Sequence, residues 1–572
     1  MREIVTIQVG DFANYIGSHF WNFQDELLGL ADEPDSDPVF RRPSLDMDIL
    51  YRTGETRQGI CTYCPRLISI GSQGSLGSLS SSGSLNSNTS SVDAMDVVTW
   101  TGKVTRSVGK PCDKNKFLQS LSEEEQDKSS FLVNDTDREG GTQRRIQDKD
   151  RVESLENDVR FWTDYSKVQY HPQTLYELYG SWTDFNKFDN YGTGKDVSEW
   201  SHIEEMNERL RFFVEECDHI QGIQFIVDDS GGFSSIAADF LQNIADEYTN
   251  SPVLLYSARD PVTYACAINQ RESITRSLHD AVSFSKLSCF CKLMIPVGLP
   301  SLSKMSSLLS VKDEKLFHCS AVYAASIHSV SVPFRLKPLG PNTESAYATG
   351  ALDIGELIHI LAGQGRQNMV SIMDIAMPTP SLTDEIHQGH IQRSLHSLTP
   401  EIGEDDEDLY AIESLMVHGA FHSGDQRASV AQVKNSVCAA YEGRCTKPMF
   451  SHLSATLCPL PIPLPFPTIF DSSVGSHGEI LGNQSEKGQP RGSLEIDSVP
   501  VATRLRSSRA IMPFIDTRLT NLRKHGIARG ARGAELLRGW GFGKEELEDM
   551  EQDLSKMLSA FDPYSQLTSD SD

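Results

Sequence analysis

Hydrophobic positions along the chain alternate between two periods. Ile4 to Val9 is a β-rich run, and Ile16, Phe20, Phe23 and Leu27 then recur at helical spacing. This predicts a strand, a loop over Gly10 to Tyr15 and an amphipathic helix. Tyr63 to Ile70 predicts a further strand. From Glu204 to Asp218, Met206, Leu210, Phe213 and Cys217 line one face while Glu204, Glu205, Glu208, Arg211 and Glu215 line the other, the signature of a half-buried helix. A buried strand, Ile223 to Val227, follows it, then the loop Asp228 to Ser235. The next helix packs Ile236, Phe240, Leu241 and Ile244, ends near Tyr248, and leads to a strand from Val253 to Tyr256. Helix, strand, loop, helix and strand in that order imply a Rossmann-type α/β fold, a mostly parallel sheet with helices on both faces.

The periodic signal is interrupted. Gly71 to Ser91 is almost entirely Gly, Ser and Asn, and Ser122 to Asp158 is dense in charge, so both are expected to be disordered inserts. Beyond Pro341 the pattern thins into a smaller α+β region with an acidic loop (Glu401 to Asp408), a proline run (Pro459 to Phe470) that reads as extended, and a Gly/Ser/Pro-rich stretch (Ser472 to Ser498). Thr503 to Arg538 is basic, with nine Lys/Arg against Asp516 and Glu535. In the terminal helix Leu547, Met550, Leu554, Met557 and Phe561 form a seam. The chain thus divides into 1–70, inserts over 71–158, a second ordered segment over 159–340, and a C-terminal region over 341–572.

Composition narrows the function classes. The 572 residues carry 79 acids against 52 bases, a net charge of −27, with 38% hydrophobic residues. That average field repels phosphate polymers and excludes a nucleic-acid partner outside local basic patches. No run of about 18 apolar residues predicts a transmembrane helix. The first residues, with Asp11, Asp25 and Glu26, resemble neither a secretory signal nor a mitochondrial presequence, so the cytosol is the expected compartment. Eleven cysteines, an odd number, are expected to be reduced, and the lone Cys61-Thr-Tyr-Cys64 lacks the second pair a zinc site needs.

One loop has the position at which α/β proteins hold phosphate. Asp228 to Ser235 lies between a buried strand and a helix whose N-terminus presents free N–H groups. The plainer account is a tight turn that needs glycine for backbone reasons. Asp228 and Asp229 could together hold a metal ion, or Asp229 could simply cap the following turn. No nucleophile elbow is present, and His171 beside Pro172 reads as a packed or capping residue.

Several collinear segments resemble the tubulins. These are MREIVTIQVGDFANYIG (Met1 to Gly17), Tyr63-Cys64-Pro65-Arg66, Tyr170 to Leu175, Asn190-Tyr191 with Gly194-Lys195, and Gln221-Gly222 leading to Ser230 to Ile236, the place of the tubulin signature loop. Within that superfamily the chain is most similar to the Misato family, through Trp21 to Gly29, Leu50 to Gly54, Arg211 to Asp218, Asp229 to Ser234, Phe317 to Ser320 and Val332 to Arg335. The resemblance covers roughly residues 1 to 70 and 160 to 340. It implies a tubulin-like fold and a role in mitochondrial distribution, morphology and inheritance. It also implies a location in the cytoplasm and at the cytosolic face of the mitochondrial outer membrane, with cytoskeletal or mitochondrial-surface proteins as partners and peripheral membrane contact.

The resemblance places vestigial nucleotide loops at Gly10, Asp11 and Asn14, at Asn190 and Gly194, and at Ser230, Gly231, Gly232, Ser234 and Ser235. The departures from the tubulin pattern all oppose GTP. Ser230, Phe233, Ser234 and Ile236 replace glycine, threonine, glycine and glycine in the signature loop, and side chains there obstruct the approach of phosphate oxygens. Gly71-Ser72-Gln73-Gly74 lacks the magnesium-anchoring acids. Asp11 replaces a neutral glutamine, and Gly298 to Ser303 holds no acid to position water. The expectation is therefore a non-enzymatic protein with no catalytic residue, metal or cofactor. A GTP-binding, self-assembling GTPase is one alternative. An adaptor or assembly factor for cytoskeletal subunits, docking through Leu547, Leu554 and Phe561, is the other.

Overall fold

The computed structural model describes residues 2–41, 45–55, 61–79, 114–130, 141–179, 188–198, 200–265, 269–337, 346–362, 369–382, 390–404, 408–422, 426–443, 447–481 and 488–561. Their centre is a seven-stranded sheet in the order Met369–Val370, Leu293–Val297, Val253–Ala258, Ile220–Asp228, Glu3–Val9, Leu67–Ser72 and Leu175–Leu178. Every neighbouring pair is parallel. All residues of Glu3–Val9 and Val253–Ala258 are buried, so both faces of the sheet are covered, as a parallel sheet requires. The cover comes from Asp11–Asp32 packed on Leu316–Ser331, and from Phe233–Glu247 packed on Tyr191–Val197 and Gln270–Phe290.

The expected loop over Gly10 to Tyr15 is not there. The strand ends at Val9 and the helix starts at Asp11. Gly10, at φ +104°, turns the chain within one residue, and a Cβ on it would stand 2.5 Å from the Asp228 Cβ. The expected strand Tyr63 to Ile70 is two: Cys61–Pro65 pairs with Tyr51–Glu55 in a hairpin, and Leu67–Ser72 enters the main sheet. Among the described residues no cluster of three or more His, Cys, Asp or Glu could hold a metal, and Cys64 is a buried free thiol.

Much of what reads as insert or linker is core. Leu76 and Leu79 are buried, and Gly77, at φ +54°, lets the backbone lie against the Phe161 ring. Lys116–Ser130 and Gly141–Asp158 are helices that bury Phe117, Leu118, Val152 and Leu155. Of their apolar residues with described side chains, Phe117, Leu118, Val152 and Leu155 are buried and Leu121 is half-buried, which average composition cannot reveal. The rest of the predicted disorder, at 80–91 and 131–140, lies outside the described residues.

Glu156 fixes the second of these helices to the body. Its carboxylate meets His318 Nε2 at 2.8 Å and Lys315 Nζ at 3.1 Å, and accepts from the Thr468 amide at 2.8 Å. The proline run, expected to be extended, is a strand only at Leu460–Pro461 and turns at Leu464–Pro465, and it buries Ile462, Phe466, Ile469 and Phe470, with Phe466 against His19 and Phe23.

The C-terminal region builds a second, mixed sheet of six strands: His396–Ser397, Ile372–Ala376, Val501–Ser507, Ile412–His418, Phe450–Thr456 and Ala348–Thr349. One residue, Ser371, separates the last strand of the first sheet from Ile372–Ala376 in the second, and its amide donates to the Met294 carbonyl at 3.0 Å. The basic run begins inside this sheet. Arg504 and Arg506 are buried and share Asp374 at 2.8 Å, and Arg504 also pairs with Glu413 at 3.3 Å. The terminal helix Lys544–Phe561 packs on Met512–Asn521 and Gln270–Phe290, burying all five seam residues. Leu547, Leu554 and Phe561 are therefore intramolecular contacts, and the docking surface expected of them is corrected.

Candidate functional site

The residues singled out from the sequence converge where Glu3–Val9 and Ile220–Asp228 end side by side. Asp228, at the end of its strand, reaches across to the first helix. Its Oδ2 accepts the Phe12 amide at 3.2 Å, while Oδ1 accepts the Ser230 amide at 3.1 Å and the Ser230 hydroxyl at 2.6 Å. A carboxyl thus sits at the helix N-terminus, where an α/β nucleotide protein would place phosphate. Burial pushes the Asp228 carboxyl up to about 7, with Asp260 adding repulsion.

Asp229 has a different role from the capping one expected of it. Its carboxylate is taken by the Ser257 hydroxyl and by Arg259 Nε at 3.0 Å, and Arg259 also pairs with Asp280 at 2.8 Å. Asp228 is the capping residue, and the two acids point to separate partners rather than to a shared ion.

In the opening loop, Asp11 accepts the Ser72 hydroxyl at 2.8 Å and the Ser72 amide at 3.3 Å. Burial raises its pKa, against these two hydrogen bonds. Asn14, fully buried, donates to the Ile70 carbonyl at 3.1 Å and accepts from Ser69 Oγ at 2.9 Å. Asn190 caps the short helix Tyr191–Val197 by accepting the Thr193 amide at 3.2 Å, and donates to Asp189.

The signature loop closes on the chain itself. The Gly232 amide donates to the Phe188 carbonyl at 3.2 Å. A Cβ on Gly231 would lie 2.2 Å from that carbonyl oxygen, and one on Gly194 would lie 1.9 Å from the Gly232 oxygen. These glycines let loop pack on loop, with no opening kept for a ligand between them. The Phe188 and Phe233 rings meet edge-on at 5.0 Å over the contact. Ser234 turns inward, its hydroxyl on the Gly231 carbonyl at 2.8 Å, and Ser235 is fully buried. On the far side of Tyr191–Val197, a Cβ on Gly192 would meet the Trp540 ring at 1.9 Å, and the Lys195 ammonium lies 4.7 Å from the Phe542 ring centre.

Sequence reasoning brings together the correct loops but misses two of their residues. Phe188 has no motif to mark it. Asp313 lies ten residues beyond Ser303 in the chain yet binds the Gly298–Ser303 loop, accepting the Leu302 amide at 2.7 Å, the Ser303 amide at 3.0 Å and the Ser301 and Ser303 hydroxyls at 2.7 and 2.8 Å. All four interactions are structural, and against the cost of burial they hold its carboxyl below the usual range.

Guanine nucleotide, which a tubulin-like fold implies, does not fit this arrangement. The amides of Phe12, Ser72, Ser230 and Gly232 are engaged by the chain's own oxygens. The carboxyl groups of the half-buried Asp11 and the buried Asp228 take up the Ser72, Phe12 and Ser230 amides that phosphate oxygens would need.

Comparison with known proteins agrees with the fold. The Misato Segment II tubulin-like domain matches residues 2–123, and a Tubulin domain matches 152–336. Protein misato homolog 1 of Bos taurus is 28% identical over 98% of each chain, and that of Mus musculus is 31% identical over 59% of each. Protein misato of Drosophila melanogaster is 26% identical over 90% of this chain and 91% of its own. On this similarity along its length, together with the tubulin-like sheet and its altered loops, the chain belongs to the Misato family of tubulin-like proteins.

Proposed function

We propose that this protein is a non-enzymatic member of the tubulin superfamily that acts through its surfaces in mitochondrial distribution, morphology and inheritance. It works from the cytoplasm at the cytosolic face of the outer membrane, among cytoskeletal or mitochondrial-surface proteins. The observation that carries the non-enzymatic part is the Asp228 carboxyl on the Phe12 amide. Phosphoryl transfer depends on electrostatic stabilisation of the transferring group, and here a protein acid holds the helix terminus that would supply it. The mitochondrial part follows from family membership. Among the described residues no helix is long and apolar enough to cross a membrane, which is consistent with peripheral contact.

The test is equilibrium binding of a fluorescent GTP analogue to purified protein, with and without Mg²⁺, alongside acid release and chromatography of any nucleotide that copurifies. No saturable binding and no released nucleotide are expected. Micromolar, Mg²⁺-dependent binding that vanishes in Gly231→Trp would overturn the proposal in favour of a GTPase. Depletion of the protein from cells is expected to alter mitochondrial shape, and an unchanged network would remove the mitochondrial assignment.

A further inference from the structure

The basic run is only partly absorbed by the fold. Of its nine cations, Arg504, Arg506, Arg518 and Arg523 pair with Asp374, Glu413, Glu401 and Glu551. The other five, Arg509, Lys524, Arg529, Arg532 and Arg538, have no carboxylate oxygen within 4.0 Å of their charged groups among the described residues. Three of them, Lys524, Arg529 and Arg532, fall on nine consecutive residues of a chain whose net charge is −27.

These three cations and His525 line a concavity of about 510 Å³ against Gln270 and Ser273 of the helix Gln270–Phe290. Burial, then the charges of Lys524 and Arg532, lower the His525 pKa, so the positive charge converges on one place. The segment carrying the cations is set. The Gly533 amide donates to the His525 carbonyl at 2.9 Å, and a Cβ on Gly533 would stand 2.2 Å from Leu278 of the helix. The helix start is closed by its own capping box, with Asn269 and Glu272 satisfying each other's amides, so the attraction lies in the side-chain cations.

We propose that this concavity binds a phosphate-bearing anion, either the headgroup of an anionic lipid or a small soluble phosphorylated molecule. Its concave shape and clustered charge suit a compact polyanion better than an extended acidic peptide. None of the lining residues belongs to the loops around Asp228, so the proposal stands or falls apart from the nucleotide reading.

The test uses the full chain and two probes, inorganic pyrophosphate in calorimetry and flotation with phosphatidylcholine vesicles doped with phosphatidylinositol bisphosphate. Lys524→Glu, Arg529→Glu and Arg532→Glu are made singly and together, with Lys434→Glu, exposed on another helix, as the charge control. Circular dichroism confirms folding. Wild type and the control are expected to bind pyrophosphate in a salt-sensitive manner, each cation being worth roughly fivefold, and the triple variant is expected not to bind. Vesicle flotation that pyrophosphate competes away assigns the site to a membrane headgroup, and pyrophosphate binding without flotation assigns it to a soluble phosphate. Absence of pyrophosphate binding, binding unchanged in the triple variant, or capture of a polyglutamate peptide that pyrophosphate fails to displace would overturn the proposal.

Discussion

The carboxyl of Asp228 accepts the backbone N–H of Phe12 at 3.2 Å across a separation of 216 residues. A strand end thereby caps the helix beginning on the neighbouring strand, and the loop that would otherwise hold a ligand there becomes a structural joint.

The Asp228 joint is expected to be pH-sensitive. Its folded pKa, about 7, lies above the unfolded value near 4. The stability it contributes is full below about pH 4 and is lost as pH rises to about 7, with a limiting slope of about 1.4 kcal/mol per pH unit. Across that window the urea midpoint of wild type should fall relative to that of Asp228→Asn, which does not titrate there, with this slope. Parallel curves would show that the group does not titrate there.

Gly194→Ala forces a methyl group to within 1.9 Å of the Gly232 oxygen. Overpacking of this kind costs about 1–3 kcal/mol. The expected result is a lower thermal midpoint, and an unchanged midpoint would mean that the two loops are not in contact.

Glu156 titrates in the opposite sense. Burial alone would raise its pKa, but the hydrogen bond and charge of His318 and the donors of Thr468 outweigh it and hold the carboxyl well below its usual range. Its contribution is present above about pH 4 and lost as pH falls below that. Glu156→Gln should flatten the acid limb of the stability curve, read by chemical denaturation from neutral pH downward.

Leu554, fully buried, anchors the terminal helix. Leu554→Ala is expected to cost about 2–5 kcal/mol. Deletion of residues 544 to 561 should lower the unfolding midpoint of the whole chain. A truncated protein of unchanged stability that loses only a binding partner would restore the docking role.

The central order of strands and helices is readable because it rests on local periodicity: Ile4 to Val9, Ile223 to Val227 and Val253 to Tyr256 each lie within the observed strands. The candidate loops are readable as neighbours because the parallel topology brings strand ends together. Their internal wiring is not, since the cap for Phe12 comes from Asp228 and the organiser of Gly298–Ser303 is Asp313. The same holds for the charged helix Gly141–Asp158, where Val152 and Leu155 supply a docking face too sparse to register as a pattern. For Arg504 and Arg506, strand alternation alone gives no sign that Asp374 waits on the next strand.

Only Ser371 lies between Val370 of one sheet and Ile372 of the other, and its amide is tied to Met294. Relative rotation of the two sheets would have to be taken up by the two soft dihedrals of a single buried residue, which leaves no hinge at that junction. With Thr399 Oγ1 donating to the Pro296 carbonyl at 2.8 Å and the Gly298 amide to the Leu398 carbonyl at 3.0 Å, the two sheets are stitched together on either side of that residue.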